Sequence, residues 1–150
     1  MAVSERLTPQ SLEAEQSVLG AMLIDEEAVT IAYERLKPAD FYREPHRHIF
    51  ECILSVYGRH EPIDLVTVTN ELRKREWLES VGGTPYLAEL IEYVPTAANI
   101  EQYANLVAAK ATLRGLIRAA DRITGWAYAD EDEVDEVVER AEREIFQLGQ

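Results

Sequence analysis

Four glutamates, Glu133, Glu136, Glu139 and Glu142, recur every three residues near the end of the chain, and Glu89 and Glu92 repeat that spacing earlier. Carboxylate pairs on helices hold magnesium in all-helical nucleotide pyrophosphohydrolases, so the run raises that chemistry as an alternative. Geometry weighs against it. Each step of three residues rotates about −60° around a helix, so the run drifts toward the opposite face instead of converging on one ion. A solvated acidic helix face is the simpler reading. His48 and Cys52 lie one helical turn apart and could share a metal, while His46 points elsewhere; a zinc site takes about four protein ligands, or three and a water. Core filling by Cys52 and hydrogen bonding of both histidines at a helix start account for the group without a metal. No serine or cysteine has a base and an orienting acid at suggestive spacing. The seven glycines form no G-x-x-x-x-G-K-[ST] loop for phosphate. The expectation is no catalytic residue, no metal and no cofactor.

A second constellation is basic. Lys110, Arg114, Arg118 and Arg122 recur every four residues, a spacing at which like charges repel by a few tenths of a kcal/mol per pair. Asp130 to Glu144 holds nine acidic and two basic residues, an evident complement in the same or a neighbouring chain. The alternatives are a solvated basic edge and a phosphate site. The whole chain carries a formal charge of −13, which repels a phosphate backbone, so direct binding of nucleic acid is not expected. No apolar run approaches the ~20 residues of a membrane span, and no secretion signal opens the chain. A single cysteine among 150 residues suits a reducing cytoplasm.

The elements that must position these residues read as all-α. Residues 1–10 form a flexible arm. Ser11 caps a helix to about Ile24, in which Gly20 marks close helix packing. Asp25 caps a second helix to about Leu36, and Pro38 forces a break before a turn at Ala39 to Tyr42. Glu44 to Gly58 is a strong helix. Asp64 caps another to about Lys74, although Leu65-Val66-Thr67-Val68-Thr69 is β-branched enough for a strand. Gly82-Gly83 makes a loop, Thr84 a cap and Pro85 a first helical residue, with the helix running to Tyr93 and Pro95 closing the segment. Asn99 and Gln102 resemble a capping box that opens one helix of about 28 residues. A polar turn at Asp130 to Glu133 leads to a last helix. The chain thus divides into a compact head of about six helices over 11–98 and a long helical hairpin over 99–150.

The hairpin carries more apolar surface than two helices can hide from each other. Leu106, Ala109, Leu113, Leu116, Ala120, Ile123 and Ala127 alternate steps of three and four, a coiled-coil seam. Tyr103, Val107, Ile117 and Trp126 lie off that seam, and the last helix has its own stripe of Val134, Val137, Val138, Ala141, Ile145 and Leu148. A second copy or another protein is expected to cover this surface. The bland alternative folds the hairpin back onto its own head.

The stretch Ser11-Leu12-Glu13-Ala14-Glu15-Gln16-Ser17-Val18-Leu19-Gly20 resembles the opening motif of DnaB-type replicative helicases. Four more stretches match in the same order: Asp40-Phe41-Tyr42 with Pro45-His46-Arg47-His48-Ile49-Phe50, Pro62-Ile63-Asp64, Val81-Gly82-Gly83 with Tyr86-Leu87-Ala88-Glu89-Leu90, and Pro95-Thr96-Ala97-Ala98-Asn99. The resemblance implies the N-terminal domain of such a helicase, non-catalytic by itself, followed in family members by a linker and an ATPase domain that would lie beyond Gln150. It implies hairpins pairing between subunits, dimers forming a three-fold collar on a hexameric ring, docking of the helicase-binding domain of primase and, in some species, of a loader. Family interface positions then fall on Tyr86 in the head and on Ile117, Ile123 and Val137 in the hairpin. With the apolar positions, the expected interface comprises Tyr86, Leu106, Leu113, Leu116, Ile117, Ile123, Trp126, Val134, Val137 and Ile145.

Overall fold

A computed structural model describes residues 7–94 and 96–149. Most of the expected arm (residues 1–6), the helix-closing Pro95 and the final Gln150 lie outside the described residues. Among the described residues there is no strand. The helices are α1 (Leu12–Ile24), α2 (Glu26–Arg35), α3 (Glu44–Gly58), α4 (Leu65–Lys74), α5 (Leu78–Val81), α6 (Gly83–Tyr93), α7 (Ile100–Ala129) and α8 (Val134–Leu148), with a 3₁₀ turn at Pro38–Asp40 between α2 and α3. The all-α expectation holds.

Local chemistry sets these boundaries. The Ser11 hydroxyl accepts the Ala14 N–H at 3.2 Å and the Asp25 carboxylate accepts that of Glu27 at 3.0 Å, so both expected caps are made. Asp64 and Thr67 cap reciprocally: Asp64 Oδ1 accepts the Thr67 N–H at 2.9 Å, and Thr67 Oγ1 accepts the Asp64 N–H at 3.0 Å. This box commits the β-branched run to helix α4. Two details differ from expectation. Helix α6 starts at Gly83, with Gly82 at φ +110° as its cap, so Thr84 already sits inside the helix. The left-handed turn that only glycine adopts freely does the work assigned to threonine. The four-residue α5 was not expected, being too short to show a period.

The core is built around α1, which is buried on nearly all sides from Ala14 to Leu23 and packs on α2, α3 and α6. Gly20 lets α6 come close: a Cβ there would run into the Leu90 carbonyl oxygen. Phe41 and Phe50 fill the far side with ring centroids 4.8 Å apart. Glu71 of α4 receives Arg59 Nη2 and Arg75 Nε, each at 2.9 Å, and ties α4 to the end of α3. Burial raises the Glu71 carboxyl, but the hydrogen bonds and charges of the two arginines outweigh it and hold its pKa below the ordinary carboxylate range. Cys52 is buried and is pushed up to about 12, chiefly by loss of hydration, so it is inert core filling.

The chain forms two compact units. One is Gln10–Ala109; the other takes in residues 110–149 together with residues 7–9. The start of α7 belongs to the first unit, where Ile100, Ala104 and Val107 are buried in the core cluster.

Candidate partner interface

In the second unit, the two arms of the hairpin meet along one edge of α8. Gly115 of α7 faces Leu148, whose Cδ2 would lie 2.8 Å from a Cβ at that position. Arg122 Nη2 pairs with Glu144 Oε2 at 2.5 Å. The Arg140 guanidinium lies over the Trp126 ring, 4.9 Å from its centroid, and donates to Asp132 at 3.0 Å. Val137, Ala141 and Leu148 are half-buried on this edge. A left-handed residue, Asp130 at φ 50°, begins the turn between the arms.

The stripe of α8 is wider than α7 covers. Val134 is 73% exposed, Val138 and Ile145 about half exposed, and Phe146 70% exposed. No residue of α8 is fully buried although its apolar side chains are strongly one-sided. On α7, Leu113, Leu116 and Ile117 are each more than 40% exposed, while Ile123 and Trp126 are half-buried. Eight of the expected interface residues (Leu113, Leu116, Ile117, Ile123, Trp126, Val134, Val137 and Ile145) therefore share this unit. Leu106 lies on the head's portion of α7 and is 41% exposed. Val138 and Phe146 belong to the exposed set as well. Phe146 was missed because it sits one position off the stripe.

The basic row of α7 splits in the structure. Arg122 meets the acidic arm as expected. Arg114 is only 8% exposed and donates to the Pro9 carbonyl oxygen at 2.8 Å, a contact hidden from the sequence because the partner lies 105 residues away and offers only backbone.

Tyr86 stands in the head, apart from the hairpin set. Its hydroxyl is 2.7 Å from His46 Nε2, and the two rings stack at 9°. His46 Nδ1 is 2.7 Å from Glu15 Oε1, and Glu15 Oε2 accepts the Tyr42 N–H at 2.7 Å. His46 and Glu15 are almost completely buried, so the phenol is fixed by a hydrogen-bonded chain running into the core. The other side of the helix places His48 on Trp77, centroids 3.9 Å apart. Among the described residues no group of three or more His, Cys, Asp or Glu side chains gathers as metal ligands would, and no helix is long and apolar enough to cross a membrane.

Comparison with known proteins places these features. The family described as DnaB-like helicase N-terminal domain matches residues 7–109. The replicative DNA helicase DnaB of Geobacillus stearothermophilus is 52% identical over 147 residues, covering 98% of this chain and 32% of that protein. The replicative DNA helicase DnaC of Bacillus subtilis is 48% identical, with 99% and 33% covered. The chain thus spans about a third of the length of these curated relatives. The crystal structure of the N-terminal domain of DnaB helicase from Mycobacterium tuberculosis superposes with a TM-score of 0.89 at 50% identity, covering 94% of this chain and 99% of that one. The N-terminal domain of DnaB helicase from Helicobacter pylori, whose structure was described with its interactions with primase, shares the fold at a TM-score of 0.67 and 24% identity, over 77% and 90% of the two chains.

Proposed function

The chain belongs to the DnaB-like helicase N-terminal domain family, and from that footing we propose that it is a non-catalytic assembly and docking domain of a replicative DNA helicase. Copies pair through the hairpin, here assigned to 99–150, and the head of 11–98 completes a collar of three such pairs on a hexameric ring, with residues 1–10 as an arm. The helicase-binding domain of primase docks on the collar, as does a loader where one is used, all in the cytoplasm. The primase assignment draws on the H. pylori relative.

One observation carries the reading: α8 is an amphipathic helix that buries no residue completely, with Val134, Val138, Ile145 and Phe146 open beside Leu113, Leu116 and Ile117 of α7. Fully covering an aliphatic or aromatic side chain contributes ~1.5–3 kcal/mol, and half that for one already half-covered, before the costs of association are subtracted. Seven such residues suffice to anchor an interface of the usual ~1,600 Å². The exposed acidic residues of α8 and the exposed Arg118 of α7 add complementary charge at the rim.

Capture experiments test this. A tagged copy retains an untagged copy and, separately, the helicase-binding domain of primase; Ile117→Asp abolishes self-capture. Self-capture that survives both Ile117→Asp and Phe146→Asp sinks the hairpin assignment, and incubation with nucleoside triphosphates and magnesium is expected to give no turnover.

A further inference from the structure

Two of the stretches that carry the family resemblance meet at a pocket of about 290 Å³ in the head: Glu13, Ala14 and Ser17 of α1 line it together with Thr96 and Asn99, beside the end of α6 and Tyr103 of α7. The geometry points to this pocket as a receptor for the guanidinium of an arginine side chain on a partner protein. The site goes beyond hairpin pairing and is independent of it.

The lining supplies what a guanidinium needs. Glu13 offers a carboxylate at the rim, and no ion pair or hydrogen bond within the described residues engages it. Ser17, 7% exposed, lines the same space and brings a hydroxyl to the set. Asn99 adds an amide, and Tyr93 and Tyr103 add two aromatic rings on which a planar cation stacks. The carboxyl end of α6, at Tyr93 and Val94, places the negative end of a helix dipole there. The starts of α1 and α7 oppose it with about half a charge each, but Ser11 caps the first, and Glu13 and Glu101 lie in the first turns of the two helices. A full carboxylate charge therefore decides the sign in favour of a cation. Arginine suits the site better than lysine because the lining combines a carboxylate with two tyrosines, and a guanidinium both forks hydrogen bonds to a carboxylate and stacks on aromatic faces, which a point charge does not. A protein is the source: Tyr93, half exposed, forms part of the wall and leaves the pocket open to a surface, and a chain of charge −13 draws basic surfaces toward it.

The test is a titration of the ¹⁵N-labelled chain with acetyl-arginine amide, followed by amide shifts, with acetyl-citrulline amide as the neutral isostere. Saturable shifts confined to the neighbourhood of Ser17, Asn99 and Tyr103 are expected in the millimolar range, with none from citrulline. Glu13→Gln is expected to weaken binding about tenfold, the loss of one charge-assisted hydrogen bond. Glu13 is exposed and the variant keeps the helix, which far-UV dichroism checks; Glu92→Gln, next to the pocket but outside its lining, is expected to change nothing. Absence of saturable shifts, equal shifts from citrulline, or full binding by Glu13→Gln overturns the proposal.

Discussion

Three glycines on helices face three different surroundings, and alanine at each separates close packing from helix preference. Removing a glycine from a helix gains ~0.5–1 kcal/mol wherever the new methyl fits. At Gly58 nothing lies within 4 Å of the added Cβ, so Gly58→Ala keeps that gain. At Gly115 the methyl meets Leu148 Cδ2 at 2.8 Å, but that atom is the tip of a flexible side chain, so gain and strain cancel to within about 0.5 kcal/mol. At Gly20 the obstacle is the Leu90 carbonyl of the α6 backbone, with Val94 Cγ2 at 2.9 Å. Only a shift of the whole helix relieves it. Because the obstacle is backbone, overpacking falls in the upper part of its usual range, ~2–3 kcal/mol, and less a gain of up to ~1 kcal/mol leaves a net loss of ~1–2 kcal/mol. At about 2–4 °C per kcal/mol for this size, Gly20→Ala lowers the melting temperature by ~2–8 °C while Gly58→Ala raises it by ~1–4 °C. Trp77 lies in the head and Trp126 in the hairpin, so single Trp→Phe backgrounds let fluorescence follow each unit. Gly20→Ala is expected to move the Trp77 transition. An unchanged or raised Trp77 midpoint refutes the claim that α1 and α6 touch backbone to side at this point.

Three further outcomes follow from buried polar chemistry. Glu71→Gln is expected to cost ~1–3 kcal/mol, since Arg59 and Arg75 lose a charged acceptor. Because the native carboxyl has a lowered pKa, its contribution is intact above the ordinary value near ~4.3 and fades as pH falls through the native value; the variant therefore shows a shallower acid loss of stability, read by urea midpoints from pH 6 downward. Cys52, with its native thiol pushed up to about 12, favours the fold fully below the unfolded value near ~8.5 and loses that contribution as pH rises from there. Its alkylation at pH 8 is expected to track unfolding, and immediate reaction of the native protein contradicts its burial. Tyr86→Phe leaves the buried Nε2 of His46 without its partner at a cost of ~1–3 kcal/mol, seen as a drop of the head transition; an unaltered midpoint means that water replaces the phenol.

Much of the fold was legible because its signals are local. Ser11, Asp25 and Asp64 cap where side-chain chemistry demands, and the apolar spacing from Ile49 to Tyr57, with Gly58 at its end, marks α3. Gly82 and Gly83 were read as a loop when one of them already begins α6, since a turn and a first helical residue look alike in one dimension. The hairpin's apolar excess was also readable, as a period that one partner helix cannot satisfy. What lay out of reach were the long-range partners. The Glu15–His46–Tyr86 chain joins residues from three motifs, and nothing in their spacing announces that the hydroxyl of Tyr86 points inward. Arg114 sat in a regular basic row, yet its neighbour Pro9 offers only a carbonyl. Which residues converge is a property of packing, and a linear pattern records only which residues can pack.

The central claim is that the open face of the hairpin is covered by a second copy of this chain. Light scattering on a gel-filtration column, run from micromolar to hundreds of micromolar, measures that directly. A particle of about twice the 17.0 kDa chain mass, dissociating on dilution and reduced to one chain by Ile117→Asp, is the predicted result. A single-chain mass at every concentration, with the native sequence, contradicts it.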